Sequence, residues 1–129
     1  MTEPRPFLGH YGDLVAFRAE HFNPIGLVES ERVKLVLVCL EPGQSIPAHV
    51  PSVDMALVVI EGEGVLISGD REDPIRPGSI GFVPAGVRRG VNATTRLVAL
   101  HSVSPPPTAQ DHARVVAQLN RNPTVAGPA

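Results

Sequence analysis

The chain is 129 residues long, enough for one hydrophobic core and too short for two. A formal net charge of -2 leaves no basic footprint for nucleic acid or an anionic membrane. The single cysteine, Cys39, excludes an internal disulfide.

With 14 prolines, 12 glycines and no tryptophan, the expected core is aliphatic, within short strands joined by tight turns. Residues 1–13 read as an N-terminal arm, loosest from Met1 to Phe7, where Pro4 and Pro6 fall. Leu14–Arg18 reads as a short strand that opens a barrel running to about residue 104. Pro24 lacks a ladder donor and restricts Asn23, so the chain is expected to break there before a weak strand at Ile25–Val28. Arg32–Leu40 is apolar at almost every position except Lys34, the pattern of a strand covered on both faces.

Glu41-Pro42-Gly43 is a turn, in which proline presets φ and glycine accepts a positive φ. Strands are expected at Ile46–His49 and at Asp54–Glu61. Glu61-Gly62-Glu63-Gly64 reads as a hairpin into Val65–Ser68, with Glu61 and Glu63 as solvated charges beside it. A polar turn over Gly69–Asp73 precedes Pro74–Arg76, and Pro77-Gly78 repeats the earlier turn chemistry. Strands at Ile80–Val83, Val87–Asn92 and Arg96–Val103 complete the series. Ser104-Pro105-Pro106-Pro107 then ends the barrel, and Thr108 is placed to cap a short C-terminal helix running to about Asn120. Short strands at regular spacing predict an all-β fold, an antiparallel jelly-roll barrel. No apolar run is long enough to span a bilayer, so a cytoplasmic protein is expected.

Two turn-rich signatures organise the centre of the chain. Gly43, His49 and Gly62 follow one spacing, and Gly78, Pro84 and Gly86 another. In this frame the chain resembles the cupin family, whose motifs carry glycines and prolines at these offsets. The likeness covers roughly Val33 to Ser104 and implies the double-stranded β-helix form of the jelly roll. It also implies a metal site, and here the chain departs from the family. The first histidine slot holds His49, but the second holds Pro51, the glutamate slot Met55, and the histidine slot of the second motif Arg89.

Proline cannot ligate, methionine offers a soft thioether, and a guanidinium repels a divalent ion. No metal cofactor is therefore expected; the alternative is a divalent transition metal held by displaced ligands, His49, Asp54 and His101. Arg89 has three possible settings: paired with an internal carboxylate such as Asp54, gripping a bound anion through its fork, or exposed at the barrel rim beside Arg88. His10, His21 and His112 fall outside the frame and are expected on the surface.

The reading that follows is a barrel binding a small apolar or anionic molecule. Its cavity is expected to be lined by Leu35 or Val36, His49, Pro51, Met55, Leu57, Phe82, Arg89 and His101. Alternatives are a metal-dependent enzyme of the dioxygenase, isomerase or lyase kind and a ligand-free structural dimer. A homodimer is expected, because apolar N-terminal strands leave edges to cover and because the resemblance implies it. Neither nucleic acid nor membrane is expected as a partner.

Overall fold

Nine strands, most of them marked by alternating or continuous apolar residues, build the computed structural model, which describes residues 5–106. They are β1 (Asn23–Glu29), β2 (Lys34–Leu40), β3 (Ser45–His49), β4 (Asp54–Glu61), β5 (Gly64–Ser68), β6 (Arg71–Ile75), β7 (Ile80–Val83), β8 (Arg89–Ala93) and β9 (Leu97–Ser104). They form a 5-stranded sheet in the order β1-β2-β9-β4-β7 and a 4-stranded sheet in the order β3-β8-β5-β6, with every pairing antiparallel. This is the jelly-roll barrel expected from the strand spacing. The helix expected from Thr108 to Asn120 lies outside the described residues. Among them, no helix is long and apolar enough to cross a membrane.

The period-two pattern of β4 shows how the core is made. Met55, Leu57 and Val59 point inward and are buried, while Asp54, Ala56 and Val58 face out. Val38 and Leu40 of β2, Val83 of β7, Val91 of β8 and Leu97 and Ala99 of β9 join them between the sheets. Burying each Val or Leu of this kind contributes about 1.5–3 kcal/mol.

β2 is buried on both faces, as its continuous apolarity requires. Leu37 and Cys39, on its outer face, pack with Val98 beneath Tyr11, Leu14, Val15 and Phe17. Burial pushes the Cys39 thiol up from its ordinary pKa, as befits a small core residue.

The strand expected at Leu14–Arg18 is absent. In its place a single helical turn, α1 (Tyr11–Leu14), is capped by His10, whose Nδ1 accepts from the Gly12 N–H at 3.0 Å. The residues that follow find partners for their carbonyls in side chains instead of a neighbouring strand. Asn23 Nδ2 donates to the Ala16 carbonyl at 2.8 Å, and Gln44 Nε2 donates to that of Arg18 at 2.7 Å. Arg96 holds the segment from outside, stacked 4.1 Å over the Phe17 ring while its Nε and Nη2 grip Glu41 at 2.9 and 3.0 Å.

Pro24 does not end a strand. It lies in β1, which among the described residues is an edge strand paired with β2, the place in a sheet where a missing N–H is tolerated. The hairpin expected at Glu61-Gly62-Glu63-Gly64 is a second correction. β4 and β5 lie in different sheets, and this link crosses between them. Gly62 takes φ 83°, and a Cβ there would collide with the Arg96 carbonyl. The true hairpin joins β5 to β6 through Gly69 and Asp70 alone, so Arg71 to Asp73 belong to a strand and not to a turn.

Among the described residues, three of the four sheet edges carry a proline: Pro24 in β1, Pro47 in β3 and Pro74 in β6. β1 and β3 also shift register, a further block to pairing. β7 has neither feature, and its Ile80 and Phe82 are 82% and 61% exposed.

Candidate functional site

A cavity of about 320 Å³ opens between the two sheets. β2 contributes Lys34, Val36 and Val38; β3 contributes Ile46 and His49; β8 contributes Arg89, Gly90 and Val91; β9 contributes His101 and Val103. Pro51, Val53 and Met55 close one side, and Phe22, Pro24 and Gly26 another.

Strand parity explains most of this wall. Arg89 and Val91 alternate inward on β8 while Arg88 is exposed. Val36 and His101 are register partners on adjacent strands, as are His49 and Arg89. Of the expected lining residues, His49, Pro51, Met55, Arg89 and His101 come together, and Val36 takes the place left open between it and Leu35.

Two do not join them. Leu57 is packed in the core, and Phe82 points outward from β7; both border a second cavity, of about 430 Å³, with residues of β5, β6 and β7. Phe22, Pro24, Gly26 and Lys34 were missed because no motif covers their segment. The alternation of β2 was the usable signal, since it sets Lys34 on the face of Val36 and Val38.

Arg89 is 5% exposed, so the rim setting is corrected. The internal pair with Asp54 is corrected too. Asp54 is exposed, and its Oδ1 accepts from the Ala85 N–H at 2.8 Å. Arg89 instead donates from Nη2 to the carbonyls of Val53 at 2.7 Å and Pro84 at 2.9 Å. Those neutral oxygens take up the Nη2 hydrogens.

His49 Nδ1 lies 2.9 Å from the Pro47 carbonyl. A carbonyl only accepts, so Nδ1 carries the proton. His101 is half-buried, its Nε2 sealed from solvent without a hydrogen-bond partner among the described residues. Burial and then the charge of Arg89 lower its pKa to about 4, which keeps the ring neutral near pH 7.

The metal site implied by the family does not fit these residues. A mononuclear site needs about three convergent nitrogen or oxygen ligands. His49 and His101 border the cavity, but Asp54 faces away from it and a guanidinium occupies the wall between. Among the described residues no group of three His, Cys, Asp or Glu side chains is placed to hold a metal ion.

A two-sheet jelly roll with a cavity between its layers defines the class, and sequence comparison specifies it. The family described as Cupin domain matches residues 36–103, more than half of the chain. The chain belongs to the cupin family. Its fold is similar to that of TT1209 from Thermus thermophilus, with 30% identity, a TM-score of 0.72, and coverage of 76% of this chain and 96% of that one. An RmlC-like cupin protein from Desulfovibrio desulfuricans is 31% identical, with a TM-score of 0.65 over 70% of this chain and 89% of that one. A cupin superfamily protein from Desulfitobacterium hafniense shares the fold at 20% identity, with a TM-score of 0.69 over 79% and 94% of the two chains. None of the curated protein sequences matches the chain.

Proposed function

We propose that this cupin binds a small apolar or anionic molecule in the barrel cavity and recognises it without a conventional metal centre. The observation that carries the reading is the replacement at Arg89. The position at which the family motif sets a histidine holds a buried guanidinium, inside a cavity whose other walls are largely aliphatic. Ligand pockets have this character, apolar with a few fixed polar groups.

The test is a thermal-shift screen of small apolar and anionic compounds, with elemental analysis of protein purified without a His tag. A ligand at about a hundred times its dissociation constant is expected to add about 2.7 kcal/mol of stability, and transition metal is expected well below one equivalent. A stoichiometric transition metal, or no shift with any compound, would overturn the reading. A cytoplasmic setting belongs to the same proposal, supported by the free, buried thiol of Cys39.

A homodimer is also proposed, formed through β7. An antiparallel pair centred on Gly81 would set Ile80 of each copy across from Phe82 of the other, covering two exposed apolar side chains on each side. The N-terminal residues expected to serve this purpose are packed on the chain's own outer sheet face. The double variant Ile80→Lys, Phe82→Lys is expected to sediment as a monomer at concentrations where the wild type is dimeric. A wild-type monomer at micromolar concentration would count against the dimer, and a dimeric variant would count against this edge.

A further inference from the structure

Resting on the ligand-binding reading, we infer that the cavity takes its ligand through the seam between β1 and β3, and that Gly26 sets how long an apolar chain the site accepts.

The cavity lies to one side of the barrel. Its wall draws on β1 and β3, each the outermost strand of its sheet, whereas the opposite seam, between β6 and β7, borders the second cavity. The two seams are built differently. β6 and β7 pair with their neighbours in unbroken register. β1 shifts register between Gly26 and Val28, and β3 between Ile46 and His49, so both strands flanking the first cavity are irregular. A bulge bends its strand and interrupts pairing, and bulges concentrate at barrel rims and beside functional sites.

One row of residues crosses the larger sheet from seam to seam. It runs from Gly26 on β1 through Val36, His101 and Leu57 to Gly81 on β7, each the register partner of the next. Both ends are glycines, in opposite surroundings. At Gly81 a Cβ would stand 3.2 Å from Leu66 Cδ2 and 3.3 Å from Leu57 Cδ2. At Gly26 a Cβ would meet nothing within 4 Å. Ile25 and Leu27 pack on the outer cluster with Leu37 and Cys39, which turns Gly26 toward the cavity it lines. Among the described residues, Gly26 is the one glycine that neither takes a positive φ nor would set a Cβ within 4 Å of a neighbour. Backbone geometry and packing therefore do not ask for glycine there, and glycine weakens a strand. What the missing side chain supplies is open space at the mouth of the cavity, beside Val36.

Neighbouring strands lie about 4.8 Å apart, so the stretch from Gly26 past Val36 to His101 is about 10 Å long. Val36, Val38, Val91 and Val103 border it. Such a channel suits an extended apolar chain lying along the row, its inner end near His101 and its outer end at the seam. Leucine at position 26 would project into that mouth and shorten it.

The experiment is isothermal titration of the full chain with straight-chain primary alcohols from butanol to octanol. For the wild type, affinity is expected to rise about fourfold with each added methylene through octanol. In Gly26→Leu, butanol is expected to bind as in the wild type, while octanol weakens by about tenfold or more. The variant should unfold cooperatively at a urea midpoint no lower than that of the wild type. Gly26→Ala, expected to weaken octanol by a smaller factor and butanol not at all, carries the same test through a less demanding substitution. Octanol binding undiminished in folded Gly26→Leu would overturn the role of Gly26. Butanol and octanol weakened alike would overturn the assignment of chain length to this position. Wild-type affinity that falls from butanol to octanol would show a closed cavity and overturn the seam. Titrations silent for every alcohol, alongside hits in the wider thermal-shift screen, would overturn this inference alone; silence in both would overturn it and the cavity reading together.

Discussion

Replacing Arg89 with alanine is expected to destabilise the protein by about 3 kcal/mol, a large share of the stability of a domain this size. Arg89 belongs to the smaller sheet, yet its Nη2 donates to the carbonyl of Val53, just before β4, and to that of Pro84, just after β7. It therefore ties one layer of the barrel to the chain ends of the other. Hydrogen bonds to a charged group contribute about 1.5–3 kcal/mol each. Their loss would leave the carbonyl of Val53, a residue 2% exposed, without this donor. Relief of the desolvated cation offsets part of the loss, which is why the estimate stays at the low end of the sum of two such bonds. The measurement is urea unfolding, in which the midpoint should fall without a change in slope. Arg89→Lys should recover only part of the loss, since an ammonium lacks the planar reach of the guanidinium. A change under about 1 kcal/mol in Arg89→Ala would show that the tie between layers is dispensable.

Acid is expected to weaken the fold through His101. The imidazole titrates near 6.5 in the unfolded chain and near 4 in the folded one, lowered first by burial and then by the charge of Arg89. Between those values the unfolded state binds more protons, so each step down in pH favours unfolding. Above about 6.5 the ring is neutral in both states and contributes no pH dependence. Integrated from about pH 7 to about pH 5, this one group should remove about 2 kcal/mol of stability. Glu41 works in the same direction but at lower pH. Its carboxyl is held below the usual range by Arg96, so its contribution fades only as pH falls through the carboxylate range. Denaturant titrations of the wild type and of His101→Gln at about pH 7, 6 and 5 separate the two. The variant should lose most of the slope above about pH 5. Parallel curves for the two proteins would assign the acid sensitivity to other groups.

Most of the barrel was legible because its signals are local. The alternation of DMALVVIE fixed both the bounds and the inward face of β4. The Pro42-Gly43 and Pro77-Gly78 turns recur as read, each closed by a backbone bond from the residue after the glycine to the one before the proline, 3.0 Å at Glu41 and 2.9 Å at Arg76. Signals that depend on distant partners were not legible. Leu14 to Arg18 has the composition of a strand, but its carbonyls are claimed by Asn23 and Gln44, which no local pattern announces. Glu61-Gly62-Glu63-Gly64 has the composition of a hairpin, yet Gly62 is required by the approach of Arg96 from across the fold.

The site divides in the same way. Parity carried Met55 and Arg89 inward, but β7 is apolar at every position and alternates around a glycine. Composition therefore could not tell that Phe82 faces out and Val83 in. The backbone carbonyls that hold Arg89 carry no sequence signature, so the pair with Asp54 could not be told in advance from the other settings.

The uneven guarding of the sheet edges also sets how far association can go. A molecule with two open edges can add a neighbour on each side and grow without limit, as fibrils do. Among the described residues, proline interrupts β1, β3 and β6, so β7 alone remains open to another strand. Pairing of two β7 edges about a twofold axis uses up the open edge of each molecule. Assembly by this route therefore stops at two, and substituting Pro24 or Pro74 would open a direction of growth that the native chain keeps shut.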